Sequence, residues 1–166
     1  MHYAPVDLVA LAAAAIEELQ ARSPDHHLSL TSGTPALVGM WDGPRLDRVL
    51  RNLLENAVKF SPNGGEIHLS LDEEVLEDGS SWAVLRVEDS GVGIPPDDLD
   101  RIFERFQRGR NVSGISGNGI GLTGVRQIVL QHGGTISAAS QEGQGATFTI
   151  RLPMHHEERA AGARDG

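Results

Sequence analysis

The sequence predicts an α/β two-layer sandwich in which a mixed, mostly antiparallel sheet carries helices on one face. Apolar residues recur every three or four positions in some stretches and alternate with polar residues in others. Their order is helix, strand pair, helix, strand hairpin, short helix, loop, helix, strand hairpin. Strands that arrive in pairs, rather than singly between crossover helices, count against a doubly wound parallel sheet.

Residues 6–22 read as a helix, with Leu8, Leu11, Ala12, Ala15, Ile16 and Leu19 on one stripe and Ser23-Pro24 ending it. Two strand-like stretches follow at 27–32 and 36–41, parted by the turn-forming Gly33-Thr34-Pro35. Asp42 suits the cap of the next helix and Pro44 its first turn. Leu46, Val49, Leu50, Leu53, Leu54, Ala57 and Val58 then give the strongest helical stripe in the chain, stopped by Ser61-Pro62-Asn63-Gly64-Gly65. Ile67, Leu69 and Leu71 alternate with His68, Ser70 and Asp72 as a half-buried strand. The acidic stretch 72–78 reads as the solvated end of a hairpin. Its second strand, 82–89, places Asp89 in phase with the apolar row Ala83, Leu85 and Val87. Pro95-Pro96-Asp97-Asp98 opens a short helix through Ile102 and Phe103, and residues 107–118 have the polar, aperiodic character of a mobile loop. Residues 120–131 are helical up to His132-Gly133-Gly134, and 135–140 with 146–152 form a closing hairpin around Gly143 and Gly145. One domain over 1–153 and a disordered tail over 154–166 are expected.

Composition narrows the function. A chain of 166 residues holds about one domain. Acidic residues exceed basic ones by 23 to 14, and a net charge of −9 argues against a nucleic-acid binder or a polybasic membrane-surface protein. The absence of cysteine excludes disulfides, thiolate catalysis and cysteine-held metals. It also favours a cytoplasmic setting. No apolar run approaches the ~20 residues of a membrane span. Glycine is enriched and clustered, 15 of 20 lying between Gly64 and Gly145. Base-composition bias accounts for 13 arginines beside a single lysine; the position of Lys59 is a separate matter.

Three constellations carry candidate chemistry. On the strong helix, at 100° per residue, Asn52, Asn56 and Lys59 fall on one ridge at the flank of the apolar stripe. Amide carbonyls suit Mg²⁺ and lysine suits phosphate, although an ordinary polar helix face has the same pattern. Asp89-Ser90-Gly91-Val92-Gly93 puts a carboxylate at a strand end, where it needs donors such as an exocyclic amine, and Gly91 and Gly93 remove side chains so that a flat base can approach the backbone; a capped strand end in a glycine turn is the plainer reading. Gly117-Asn118-Gly119-Ile120-Gly121-Leu122 runs from the loop into a helix whose amino terminus favours anions, which makes Gly117, Gly119, Gly121 and Leu122 candidate nucleotide-binding residues. It is neither a Gly-x-Gly-x-x-Gly fingerprint nor a P-loop.

Together these runs resemble the boxes of sensor histidine kinases. Asn52-Leu-Leu-Glu-Asn56-Ala-Val-Lys59-Phe60 is similar to the N box, Asp89-x-Gly91-x-Gly93 to G1, and Ile102-Phe103-Glu-Arg105-Phe106 to the F box. Gly117-x-Gly119-x-Gly121-Leu122 is similar to G2, and Gly143-Gln-Gly145-Ala-Thr147-Phe148 to G3, the likeness running over about residues 6–153. The resemblance implies the Bergerat ATP-binding fold of the gyrase, chaperone, histidine kinase and mismatch-repair superfamily. It implies that Asp89 binds the adenine amine and that Asn56 coordinates Mg²⁺, with Asn52 helping to order metal and phosphates. Lys59 and the lid at 107–118 engage the phosphates, Phe60 lines the base pocket, and Thr147 hydrogen-bonds near the adenine. Arg105 and Arg108 are candidate cations facing phosphate or partner, with a surface arginine as the alternative.

Gyrase-like and chaperone members carry a glutamate four residues before the metal asparagine, where it activates water. Here that position is Asn52, and an amide is no general base. Glu55 does not substitute, since it lies about 100° around the helix from Asn56. The resemblance therefore implies transfer to a histidine on a separate dimerisation domain, and a response regulator downstream. No histidine here has the family's acceptor context; His156 lies beyond the fold, and His68 and His132 read as structural. A monomeric catalytic half, making no membrane contact of its own, of a parent kinase that is free or membrane-anchored is the expectation. An anti-sigma-type serine kinase and a non-catalytic ATP-sensing module are the alternatives. Gly124 departs from the family's bulkier apolar residue, at a helix cost of up to ~1 kcal/mol against alanine.

Overall fold

The computed structural model describes residues 1–93, 119–141 and 143–155. Its elements are β1 (Ala4–Asp7), α1 (Leu8–Arg22), β2 (His26–Ser32), β3 (Val38–Trp41), α2 (Gly43–Lys59), β4 (Gly65–Val75) and β5 (Ser81–Asp89), followed by α3 (Gly119–Gln131), β6 (Thr135–Gln141) and β7 (Gly145–Pro153). The expected short helix from Pro95, the F box, the loop at 107–118, Arg105, Arg108 and Gly117 lie outside the described residues.

A five-stranded sheet has the order β2-β4-β5-β7-β6. Only β2 and β4 run parallel; the other pairs are antiparallel, so the sheet is mixed and mostly antiparallel as expected. Alternation sorts its two faces. Leu28, Ile67, Leu69, Leu71, Leu85, Val87, Phe148 and Ile150 are buried in one core with the apolar stripes of the helices. Ser29, Thr31, His68, Arg86 and Glu88 point the other way. On that open face His68 bridges two hydroxyls, Ser29 at 2.8 Å and Thr31 at 2.9 Å, in keeping with its structural reading.

The expected strand pair at 27–32 and 36–41 divides between two sheets. β3 pairs instead with β1, a four-residue strand whose last two residues fall in the stretch read as the start of α1. Asp7 explains the later helix start, because its carboxylate accepts from the Val9 amide and caps α1 there. The same Oδ1 accepts from the Leu37 amide at 3.0 Å and joins helix to ribbon. The ribbon is tied to the end of β7 by Trp41 Nε1–H, which donates to the Pro153 carbonyl at 2.8 Å. Met154, placed by the sequence at the start of a disordered tail, is 5% exposed. Its amide donates to Ser81 and its carbonyl accepts from Met40, so the packed chain runs past residue 153.

Asp42 caps α2 and is almost fully buried. Its carboxylate accepts from the His2 and Arg45 amides, with the Arg45 guanidinium 3.4 Å away. The His2 contact first, and then those of Arg45, hold the Asp42 carboxyl below the ordinary carboxylate range against the opposing effect of burial. The Asp42 amide in turn donates to His132 Nε2 at 3.0 Å, so the His132 proton is on Nδ1, which donates to the Ile128 carbonyl at 2.9 Å. His132 is completely buried, and burial lowers its pKa and keeps the ring neutral. The end of α3 is thereby fixed to the start of α2, and the two helices lie antiparallel. Replacing this cap, Asp42→Ala, is expected to cost about 1–2 kcal/mol in urea unfolding.

Candidate nucleotide-binding site

The antiparallel helices bring the amino terminus of α3 alongside the carboxyl-terminal half of α2. Asn52, Asn56 and Lys59 lie on α2, all half-buried, and among the described residues none of the three side chains is engaged in a hydrogen bond or ion pair. Glu55 has turned to the other side, 3.7 Å from Arg22 of α1. At the start of α3, Gly119 is the first helical residue and Gly121 is half-buried with open space where a Cβ would stand. Leu122, named with the glycines as a binding residue, is 7% exposed and belongs to the core.

Phe60 closes α2 and is buried. Its carbonyl accepts from the Val92 amide at 2.8 Å, which fastens the helix end to the turn after β5. The contact is so close that a Cβ on Gly91 would lie 2.0 Å from the Phe60 oxygen. Glycine at 91 therefore serves backbone packing inside the domain, where the sequence reading had it making room for a base. Gly93, at φ +76°, sits in the left-handed region. From the opposite side a Cβ on Gly145 would come within 2.1 Å of the Asp89 carbonyl, and the Gly143 amide donates to the Val92 carbonyl at 2.6 Å.

That doubly held turn fixes Asp89. Its side chain shares the helix-facing side of the sheet with its ladder partners Ile67 and Ala146, both buried. Oδ1 accepts from the Gly91 amide at 2.9 Å. Burial raises the Asp89 pKa above the ordinary value of 3.8, opposed by hydrogen bonds from the Gly91 and Ala146 amides. Two amides leave part of the acceptor capacity of a carboxylate unused, so the group fits a donor such as an adenine amine.

Thr147 requires a correction. It pairs with Glu88, on the sheet face opposite Asp89, and the residue facing the carboxylate is Ala146. The alternation of Ala146, Phe148, Ile150 and Leu152 as one buried row carries this in the sequence itself. The shape and sites so described define a class: a Bergerat-type nucleotide-binding sandwich, with an amide-and-lysine ridge, a glycine-led helix start and a half-buried strand-end carboxylate. The chain belongs to the family of histidine kinase-, DNA gyrase B- and HSP90-like ATPases, whose profile matches residues 41–156.

Within that family its likenesses are to sensor histidine kinases. It is 39% identical over 154 residues to the adaptive-response sensory kinase SasA of Synechococcus sp., covering 90% of this chain and 39% of that one. The identity is 40% over 144 residues to the sensor histidine kinase Hik2 of Synechocystis sp., covering 80% and 33%. The chain thus spans well under half the length of these relatives. Among solved structures, the mycobacterial sensor histidine kinase MprB superposes with a TM-score of 0.77 at 29% identity, over 92% of this chain and 99% of that one. Full-length ShkA in complex with AMPPNP gives 0.74 at 30% identity, over 91% and 31%. The chain is an ATP-binding domain of the histidine-kinase kind. Among the described residues no helix is long and apolar enough to cross a membrane.

Two outcomes are expected for the carboxylate. Asp89→Asn should weaken adenine-nucleotide binding by about 1.5–3 kcal/mol, the range for a hydrogen bond to a charged group, in calorimetric titrations. Because the folded-state pKa is raised, Asp89 contributes stability that is complete below 3.8 and is lost as pH rises through the folded value. An amine donor favours the ionised form, so adenosine should shift the Asp89 titration, followed by carboxyl NMR shifts, to lower pH; an unmoved midpoint would refute the contact.

Proposed function

We propose that this domain binds Mg-ATP and transfers the γ-phosphoryl group to a histidine on a separate dimerisation domain of the parent kinase, which then serves a response regulator. The observation that carries the reading is the α2 ridge, where the position of a water-activating base is occupied by Asn52 and the one carboxylate between Asn52 and Asn56 on the helix, Glu55, is turned toward Arg22. A site without a base at this helix position keeps ATP for another nucleophile. In the transfer, an imidazole nitrogen of the acceptor bonds to the γ-phosphorus as the bond to the β,γ-bridging oxygen breaks, and ADP leaves.

Asp89 would accept the adenine amine, with Phe60 and the Asp89–Gly93 turn bounding the base. Asn56 would hold Mg²⁺ through its amide oxygen, with Asn52 beside it; the ion would supply neutralisation of phosphate charge. The residues fit such an ion, since the Asn56 amide is half-buried on α2, engaged in no hydrogen bond among the described residues, and offers a hard neutral oxygen. An ion bound chiefly by phosphate oxygens and water needs only the amide. Lys59, one turn further along α2, and the first amides of α3 at Gly119 and Gly121 would meet the phosphates. Arg108 and Gly117, with the lid at 107–118, would complete the phosphate end. A net charge of −9 makes these local cations and the metal necessary for a polyanion to bind.

The test mixes this domain with the cognate histidine-bearing domain and labelled ATP. Acid-labile, base-stable phosphohistidine is expected, and its absence, or phosphoserine on a small antagonist protein instead, would overturn the assignment. Asn56→Ala should abolish the Mg²⁺ dependence of nucleotide binding, measured with and without EDTA, while adenosine affinity is retained.

A further inference from the structure

The loop that follows α2 is held from outside by a side chain of β2. His26 opens that strand and is half-buried. Its Nε2 lies 2.7 Å from the Ser61 carbonyl, and since a carbonyl only accepts, the proton on Nε2 is the donated one. Nδ1 is buried and, among the described residues, has no partner. The backbone of His26 is itself fixed. Its carbonyl accepts from Gln20 Nε2 at 2.7 Å, while Gln20 Oε1 accepts from the Leu28 amide at 2.8 Å. The Gln20 side chain thus ties α1 to the edge of β2 and sets where the imidazole stands.

Away from His26 the loop has little to lean on. A cleft of about 450 Å³ is lined by residues 61–64, residues 90–92 and Gly143, so packing does not fix the loop on that side. Ser61 follows Phe60, whose carbonyl accepts from the Val92 amide at 2.8 Å, and a Cβ on Gly91 would stand 2.6 Å from Ser61 Oγ. The Gly91 amide in turn donates to Asp89 Oδ1. Three hydrogen bonds joined by short stretches of backbone therefore run from the imidazole to the Asp89 carboxylate. We propose that His26 is a positioning residue of the nucleotide site: its hold on the Ser61 carbonyl keeps Phe60 seated on the turn at 89–93 and so fixes the Asp89 carboxylate relative to the α2 ridge. This rests on the reading of Asp89 as the adenine acceptor. The N–H carries the role rather than the ring, because among the described residues it is the one polar group of the side chain with a partner. His26 lies outside every run of residues that carries the family likeness, so no motif points to it. A group that binds a ligand is only as well placed as the residues behind it.

The experiment compares the parent domain with His26→Phe, which keeps a ring and loses the donor, with the smaller His26→Leu, and with His26→Gln, whose side-chain amide donates to the same carbonyl. The two apolar variants also remove the unpartnered Nδ1, which offsets the lost hydrogen bond in the folding balance. Mg-ADP affinity is measured by calorimetry, and the Asp89 titration of the nucleotide-free domain by carboxyl NMR. His26→Phe and His26→Leu are expected to weaken Mg-ADP binding about fivefold, the weight of one ordinary hydrogen bond. Both should also move the Asp89 midpoint down toward 3.8, as the loosened turn admits water. His26→Gln should bring affinity and midpoint back to the parental values, which a need for the ring alone would not do. Parental values in the apolar variants, or losses in His26→Gln equal to theirs, would remove the role of His26 and leave the adenine reading in place. A parent domain that binds no Mg-ADP would remove both.

Discussion

The structure depends most on the close approach of three backbone segments around residues 89–93. The end of α2 meets this turn through Phe60, and the β6–β7 turn meets it through Gly143 and Gly145. No side chain fits at Gly91 or Gly145, so these two glycines are fixed by packing before any ligand is considered. One consequence is that the carboxylate proposed to bind a base is held by the same contact that ends the ridge proposed for phosphates. A shift of a few tenths of an ångström at Gly91 would be felt at both ends of a bound nucleotide.

The second constraint is the bond between His132 and the cap of α2. A neutral ring can offer one donor and one acceptor, and here each finds a backbone partner in a fully buried place. This contact sets the direction of α3 relative to α2. Direction is what turns a polar helix face and a glycine-rich helix start, each ordinary alone, into opposite walls of one site. It equally sets the far ends of the two helices against each other, where Arg45 and Gln131 meet.

Much of this was legible in the sequence, and the failures have physical causes. The α2 stripe, the Asp42 cap and the alternation in β4, β5 and β7 are local patterns, and local patterns give element type and buried face. The ribbon of β1 and β3 was not legible, because a four-residue strand pairs over a separation that no local period records. The late start of α1 turns on Asp7, a residue that reads equally well as helix interior until its contacts with Val9 and Leu37 are seen. Gly91 was read as space for a base because nothing local reveals that Phe60 occupies that space. Thr147 is different: the alternation that faces it away from Asp89 is in the sequence, and family likeness of the motif outweighed it. Met154 shows that a polar tail can follow a residue that belongs to the core.

The lone lysine has a use that its position makes available. Lys59 carries the chain's one side-chain primary amine, half-buried at the last turn of α2, on the ridge with Asn56. Arginine guanidinium groups do not compete with an amine for mild acylating reagents. Apart from the terminal amine, the domain therefore offers a single acylation site, and it lies on the proposed phosphate wall. The rate at which that amine is modified becomes an intrinsic gauge of what occupies the site, without a probe having to be engineered in.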